Sequence, residues 1–405
     1  METKLWLFLN PFNQTNMSGF LTTLLTRLTP PPFHNPPEYD GLEFRKGIFV
    51  FRPAYFQTEA LLLGCLVTYI VVFFYGKSQN FRKANKWLDA HLPLLTAQFS
   101  SPTNGGLTSD GFSDLFNFST GRRNVAKLHT IFTLRPRHDI VQMIFQIGRT
   151  FVDLEHRYTD DIQLDFTLSS SALPGGCDFV WAIAKKEELR SVKSDRWDLV
   201  RCSYYVLSAF LKFCLQTFTK TTENSALPPL VSVMSEYADV TESILKTTNI
   251  ATVLQNPAVL PYFRSLSITD QPRERPTTGP LSPTEREKHV ILSLHAPSSS
   301  DAGATLPLVT AVFSFVDVLS KINLRPETKT KLRKVREDLD KDLKEEATRE
   351  KKEEQEAALE DKKAAKRKIE EDRIARLSAA EQKKILERER KRALRKSQGK
   401  VAVRK

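Results

Sequence analysis

The chain has few of the residues that build disulfides, metal centres or cofactor loops. Among its 405 residues, four are cysteine: Cys65, Cys177, Cys202 and Cys214. They show neither C-x-x-C spacing nor a pairing with histidines, which excludes a disulfide framework and a zinc site. Cys65 lies in an apolar run, and the others read as reduced cytosolic residues. The seven histidines are scattered, and His129 and His138 flank a predicted strand with no carboxylate close in sequence. Nucleophile elbows, metal-ligand spacings and glycine-rich cofactor loops are all missing, so no catalytic, cofactor-binding or metal residue is assigned. Gly76-Lys77-Ser78 has the form of a phosphate-loop ending. Its required first glycine would fall at Val71, inside the apolar run, which excludes it. An enzyme would need a pocket hidden within residues 124 to 324. The expectation is a protein that is not an enzyme.

A cleavable leader is not expected, because Leu5 to Leu9 is shorter than a signal-peptide core and runs into Asn10-Pro11. What the chain does have is Ala54 to Tyr75, uncharged and proline-free from Ala60 onward. Tyr55 to Tyr75 is about 21 residues, enough at ~1.5 Å each to cross a ~30 Å hydrocarbon core. Large apolar side chains lie on every face, no second run of similar strength exists to pack against it, and Tyr55, Phe56, Tyr69 and Tyr75 sit near its ends. It is expected to be the one transmembrane helix. Glu59 in its first turn reads either as a partner-binding carboxylate or as an acid at headgroup depth, and its nearness to the helix end favours the second. Gly64 and Thr68 form a small-x-x-x-small pair that suits a partner helix.

Lys77, Arg82, Lys83 and Lys86 follow the run, against Arg45, Lys46 and Arg52 before it. That balance leans towards a luminal N-terminus and a cytosolic C-terminus. Sequons at Asn13 and Asn16 fit a luminal start, and the one at Asn117 would then be cytosolic and unmodified.

The net charge of +12 belongs to one end. From Lys362 on there are about 18 Lys/Arg against about 6 Asp/Glu, so all that precedes is near neutral. Lys329 to Lys405 is nearly free of proline and aromatics and rich in Lys, Arg, Glu and Ala, which predicts helix. Leu332, Val335, Leu339 and Leu343 begin an apolar seam that lapses by Gln355, so a mostly single, exposed helix is expected rather than a long coiled coil. Lys362, Lys363, Lys366, Arg367, Lys368, Arg388, Arg390, Lys391, Arg392, Arg395 and Lys396 are candidates to neutralise phosphates of RNA or of lipid headgroups. Without aromatics the tail is not suited to stacking on bases.

Between anchor and tail the pattern is mixed. Ser78 to Phe99 reads as an amphipathic helix and Ser100 to Thr120 as a flexible link. Lys127 to Leu134 and Ile162 to Leu168 alternate as strands, and Asp139 can cap a helix carrying Ile140, Met143, Ile144 and Ile147. Cys177 to Ala184 suggests a strand and Lys185 to Val192 a helix. A helix is expected from Leu227-Pro228-Pro229 through Leu245, a second over Val259 to Arg264, then strands at Ser265 to Thr269 and Val290 to Leu294 and a helix over Leu306 to Ile322. The result is an α+β or α/β cytosolic domain, preceded by one transmembrane helix and followed by a long charged C-terminal helix. The expected division is 1–53 luminal, 54–76 transmembrane, 77–123 juxtamembrane helix and linker, 124–324 cytosolic domain and 325–405 basic tail.

Several of these pieces, in this order, resemble the calumin family, coiled-coil-bearing endoplasmic reticulum proteins that form the larger half of the PAT complex. They are the helix with Glu59, the Gly76-Lys77 exit with Asn80, the Trp87 helix, Leu227-Pro228 leading to Ser235-Glu236, Val240-Thr241, the strand ending at Pro297, the helix ending near Leu324-Arg325, and the charged tail. The resemblance implies an intramembrane chaperone scaffold that pairs with a small membrane protein, Asterix, beside the Sec translocon. It further implies contact with the ribosome and rRNA, and help for nascent multipass proteins as they insert. Animal members carry a cleaved signal and a long acidic luminal region linked to calcium, whereas Met1 to Pro53 here has few acids. A lipid-binding tether is the alternative function.

Overall fold

The structure, a computed structural model, describes residues 41–375 and 391, apart from 48, 154–155, 170–177, 201–203, 209–210, 215–217, 277–278 and 283–284. A small hairpin, β1 (Phe44–Lys46) with β2 (Phe49–Phe51), precedes α1 (Gln57–Gln98), an unbroken helix of 42 residues. The predicted membrane segment and juxtamembrane helix are therefore one element.

A nine-stranded sheet follows. Its members are β3 (Thr108–Asp110), β4 (Asp114–Ser119), β5 (Val125–Thr133), β6 (Asp161–Leu168), β7 (Trp181–Lys185), β10 (Lys220–Thr222), β11 (Val231–Ser235), β12 (Phe263–Thr269) and β13 (Lys288–His295). The order is β10-β11-β7-β12-β13-β6-β5-β4-β3, and each neighbouring pair is antiparallel, which settles the class as α+β. A separate hairpin pairs β8 (Tyr204–Ser208) with β9 (Leu211–Cys214).

Alternation along the strands sorts their side chains onto two faces. Leu128, Phe132, Leu164, Phe166, Trp181, Ile183, Val233, Leu266 and Leu292 join one core. Over it lie the second half of α1, α5 (Ala238–Thr247), α6 (Ile250–Leu254), α7 (Leu306–Leu319) and the start of α8 (Pro326–Ala375). α7 alone buries Leu308, Val309, Val312, Phe313, Phe315, Val316 and Leu319, each worth about 1.5–3 kcal/mol on burial. The opposite face, with Val180, Ala182 and Met234, meets Leu199 and Val200 of α4 (Trp197–Val200) and Leu189 and Val192 of α3 (Leu189–Asp195).

Three readings of the sequence are corrected. Ser100 to Thr120 is not a flexible link: it bridges Ser101 to Thr120 and supplies β3 and β4 to the sheet. Val231 to Ser235, expected within a helix, is a strand whose five residues are all buried; cover on both faces removes the polar alternation that marks a strand. The helix starts only at Ala238, and Val259 to Arg264 is a turn entering β12, with Pro261 lacking the donor that a helix interior needs.

Candidate membrane-exit collar and tail dock

Two described helices are long and apolar enough to cross a membrane, α1 and Ala302–Leu319. The second corrects the expectation that no other apolar run of similar strength exists: it is the core helix just described with the turn before it, half of it buried, and it packs on the sheet. In α1 every residue from Ala60 to Val71 is exposed, and burial begins at Gly76, continuing at Asn80, Ala84, Trp87, Leu88, His91 and Leu95. That spacing is one stripe of a helix, so α1 has a bare apolar half and a half docked on the sheet.

A polar collar marks the change. Asn80 is fully buried; its amide donates to the carbonyls of Phe112 (2.9 Å) and Arg135 (3.0 Å) and accepts from Arg137 (2.8 Å). Arg137 forks onto Asp160 at 3.0 and 2.6 Å, Lys83 donates to the same carboxylate at 2.6 Å, and the Arg135 N–H at 2.9 Å. Burial would raise the Asp160 pKa, but these donors outweigh it and hold the carboxyl well below the usual range. Gly76 completes the collar, since a Cβ there would lie 2.1 Å from the Arg137 carbonyl oxygen. Phe73, Phe112 and His138 meet edge to face around it, with Lys77 Nζ 4.5 Å from the Phe112 ring centre.

Further along α1, a buried relay fixes the helix to the turn before α7. The Trp87 indole donates to Thr305 Oγ1 (2.9 Å), the Thr305 hydroxyl to His91 Nε2 (3.1 Å), and His91 Nδ1–H to the Trp87 carbonyl (2.8 Å). That pattern requires a neutral imidazole, and burial pushes the His91 pKa down to about 4.

The start of the tail is docked too, so the expected exposed helix is corrected for its first turns. Leu332, Leu339 and Leu343 are buried, and Arg336 between them is 5% exposed. Arg336 donates to Glu236 at 2.9 and 2.6 Å and to Asp270 at 2.7 and 3.0 Å, while Glu236 also accepts the Val180 N–H at 2.7 Å. Burial would lower the Arg336 pKa, but Asp270 and Glu236 more than offset it and keep the guanidinium charged. Arg286 with Asp340 at 2.6 Å extends the dock.

The sequence-predicted residues fare differently. Thr68 donates its hydroxyl to the Gly64 carbonyl (2.8 Å), so these two share an exposed face. Glu59, bonded by Thr58 at 2.9 Å, lies nearly opposite Thr68 around the helix. Lys362 is exposed in α8 and Lys391 is helical and exposed. Lys363, Lys366, Arg367 and Lys368 lie in α8 with side chains outside the described set; Arg388, Arg390, Arg392, Arg395, Lys396, Asn13 and Asn16 lie outside the described residues. Asn117 is 1% exposed and donates to the Pro102 carbonyl, which leaves no room for a glycan.

A cavity of about 320 Å³ lined by His156, Arg157, Asp161, Glu188, Arg196 and Arg264 brings carboxylates and a histidine together. Its acids are tied up: Arg264 bonds Asp161 and Glu188, and Arg157 bonds Glu188 at 2.8 Å. Among the described residues no group of three or more His, Cys, Asp or Glu is placed to hold a metal.

A family model described as PAT complex subunit CCDC47 matches residues 55–396. The chain belongs to the CCDC47 family. A UPF0674 endoplasmic reticulum membrane protein of Schizosaccharomyces pombe is 25% identical over 384 residues, 90% of each chain. PAT complex subunit CCDC47 of Xenopus laevis and of Homo sapiens are each 22% identical over 302 residues, 69% of this chain. The match spans 56% and 57% of those two relatives, little more than half their length.

In this CCDC47-family chain, sequence reasoning missed Asp160, Arg137 and Arg336. For Arg336 a signal existed: Leu332, Arg336, Leu339 and Leu343 fall on one helical face, and a charge inside an apolar seam asks for a buried partner. Asp160 had none, because its partners are 23 and 77 residues away.

Proposed function

We propose that this chain is a non-enzymatic subunit of a PAT-type complex in the endoplasmic reticulum membrane. α1 anchors it by a single span, with the N-terminus luminal and the sheet domain and tail cytosolic. The observation that carries the reading is α1 itself: one helix presents a bare apolar half and buries its other half in the domain core, coupled to membership of the family. A small membrane partner resembling Asterix would pack on the bare half, with the Gly64 and Thr68 face as its closest approach. The domain would sit beside the Sec translocon, and the basic tail would reach ribosomal RNA while multipass clients insert. The ion-paired cavity suits this non-catalytic role.

The test uses sealed microsomes and detergent extracts of the full chain. Added protease removes the tail and domain from the outside, and the protein sediments with ribosomes in a manner that RNase abolishes. A C-terminal tag protected from protease overturns the topology. Flotation with anionic liposomes, without ribosome association, overturns the ribosome reading in favour of a lipid tether.

A further inference from the structure

The segment between Arg137 and Asp160 belongs to neither core. Its helix α2 (Ile140–Val152) is capped by Asp139, whose carboxylate accepts the Val141 and Gln142 N–H groups, and not one of its 13 residues is buried. Yet its composition is that of a packed element. Val141, Ile144, Phe145, Phe151 and Val152 recur at helical spacing, with exposures of 71, 62, 68, 83 and 88%. Such a stripe on a described surface wants an apolar partner.

Where the segment starts and ends says which partner. Its two ends are clasped together by the Arg137 fork on Asp160, and the same carboxylate is held by Lys83 of α1. Arg137 also abuts Gly76, the residue at which the bare apolar surface of α1 stops; Tyr75 beside it is 64% exposed. The segment is therefore an arm that leaves and rejoins the domain at the level where α1 would emerge from the bilayer. At ~1.5 Å per residue α2 is about 20 Å long, too short to cross a ~30 Å core and suited to lying at its edge. Gln142, Gln146 and Arg149 occupy the other side, and Arg149 is paired with Asp153 at 3.3 Å.

We propose that α2 is an interfacial membrane helix that inserts its Val141, Ile144, Phe145 and Phe151 side into the lipid leaflet from which the Gly76 end of α1 emerges. The occupant is lipid acyl chain, because the arm is rooted at Gly76, where the bare apolar surface of α1 ends, and its stripe carries no charge. Insertion therefore depends on apolar burial and is indifferent to anionic headgroups and to salt.

The proposal rests on α1 spanning the bilayer, and the experiment separates the two. The full chain, with its four cysteines replaced by serine, carries an environment-sensitive fluorophore on one new cysteine and is reconstituted in phosphatidylcholine vesicles containing brominated lipid. Phe145→Cys and Phe151→Cys probes emit at shorter wavelength than a Gln146→Cys probe and lose far more intensity to bromine than it does. Melting of the Phe145 and Phe151 probe proteins stays close to that of the parent, since these side chains are largely exposed. A Val67→Cys probe reports α1. Quenching at Val67 with water-like, unquenched emission at Phe145 overturns the arm and leaves the anchor standing; no quenching at Val67 overturns the anchor. A Phe145 probe that is shielded in native microsomes but not in pure lipid vesicles shows that a protein covers α2 and overturns the lipid assignment.

Discussion

Gly76 and Arg137 touch backbone to backbone: a methyl group added at Gly76 would lie 2.1 Å from the Arg137 carbonyl oxygen. The contact closes the collar, since it sets the distance at which Arg137 can reach both Asn80 and Asp160.

Gly76→Ala therefore forces the two segments apart. Overpacking of this kind costs roughly 1–3 kcal/mol, and here the neighbour is backbone that cannot rotate away. Limited proteolysis should show new cleavage between residues 137 and 160, while Gly64→Ala, with open space around it, leaves the digest unchanged.

Asp160 is the charge centre of the same collar. Asp160→Asn removes charge from hydrogen bonds to Arg137 and Lys83, a loss of roughly 1.5–3 kcal/mol for bonds of this type. Because its folded pKa is depressed, the contribution is complete above the unfolded value near 3.8 and is lost as pH falls further. Denaturant titrations at pH 7 and pH 3 should differ less for the variant than for the parent.

His91 acts at milder acidity. Its folded pKa is about 4 against 6.5 for a free side chain, so its contribution is present above pH 6.5 and shrinks as the unfolded state takes up a proton that the folded state refuses. The loss is about 1.4 kcal/mol per pH unit, about 3 kcal/mol by pH 4. A His91→Gln chain should show a flatter midpoint between pH 6.5 and 4 in urea titrations.

Arg336 holds α8 to the sheet. Arg336→Ala leaves Glu236 and Asp270 buried without their cation, a change that costs roughly 3–5 kcal/mol. Arg336→Lys rescues little, because one ammonium cannot fork onto two carboxylates. Thermal melting and trypsin sensitivity near residue 336 measure both.

Deleting residues 362–405 should weaken ribosome binding and make its salt dependence shallower, by roughly 0.7–0.9 in log–log slope for each phosphate that the tail no longer neutralises. Unchanged affinity and slope in co-sedimentation would move the ribosome-binding surface onto the sheet domain.

Much of the fold was legible where one face is wet. Leu128 and Phe132 alternate with exposed or half-buried neighbours, and β5 is read within two residues of its ends. Asp139 before Ile140 announced α2. Legibility failed where both faces are covered, as at Val231 to Ser235, because uniform burial carries no period. The apolar half of α1 and the basic tail stand out in composition, but the collar does not: Asn80, Arg137 and Asp160 are ordinary polar residues until the sheet brings them together. That the α2 stripe is left bare was equally invisible, since its periodicity is the same as that of a helix packed on a core.

α1 passes from its bare half into the domain core without a loop. A 42-residue helix is about 63 Å long, so on the proposed single span a stiff rod would run from one compartment into the other. The angle at which its apolar half sat in a bilayer would then be the angle the sheet presents outside. A tilt of about 20°, common where helix and bilayer lengths differ, would swing a point 30 Å beyond the exit by roughly 10 Å. On that topology local membrane thickness would become a mechanical input, transmitted as a pointer's deflection to whatever stands beside the domain.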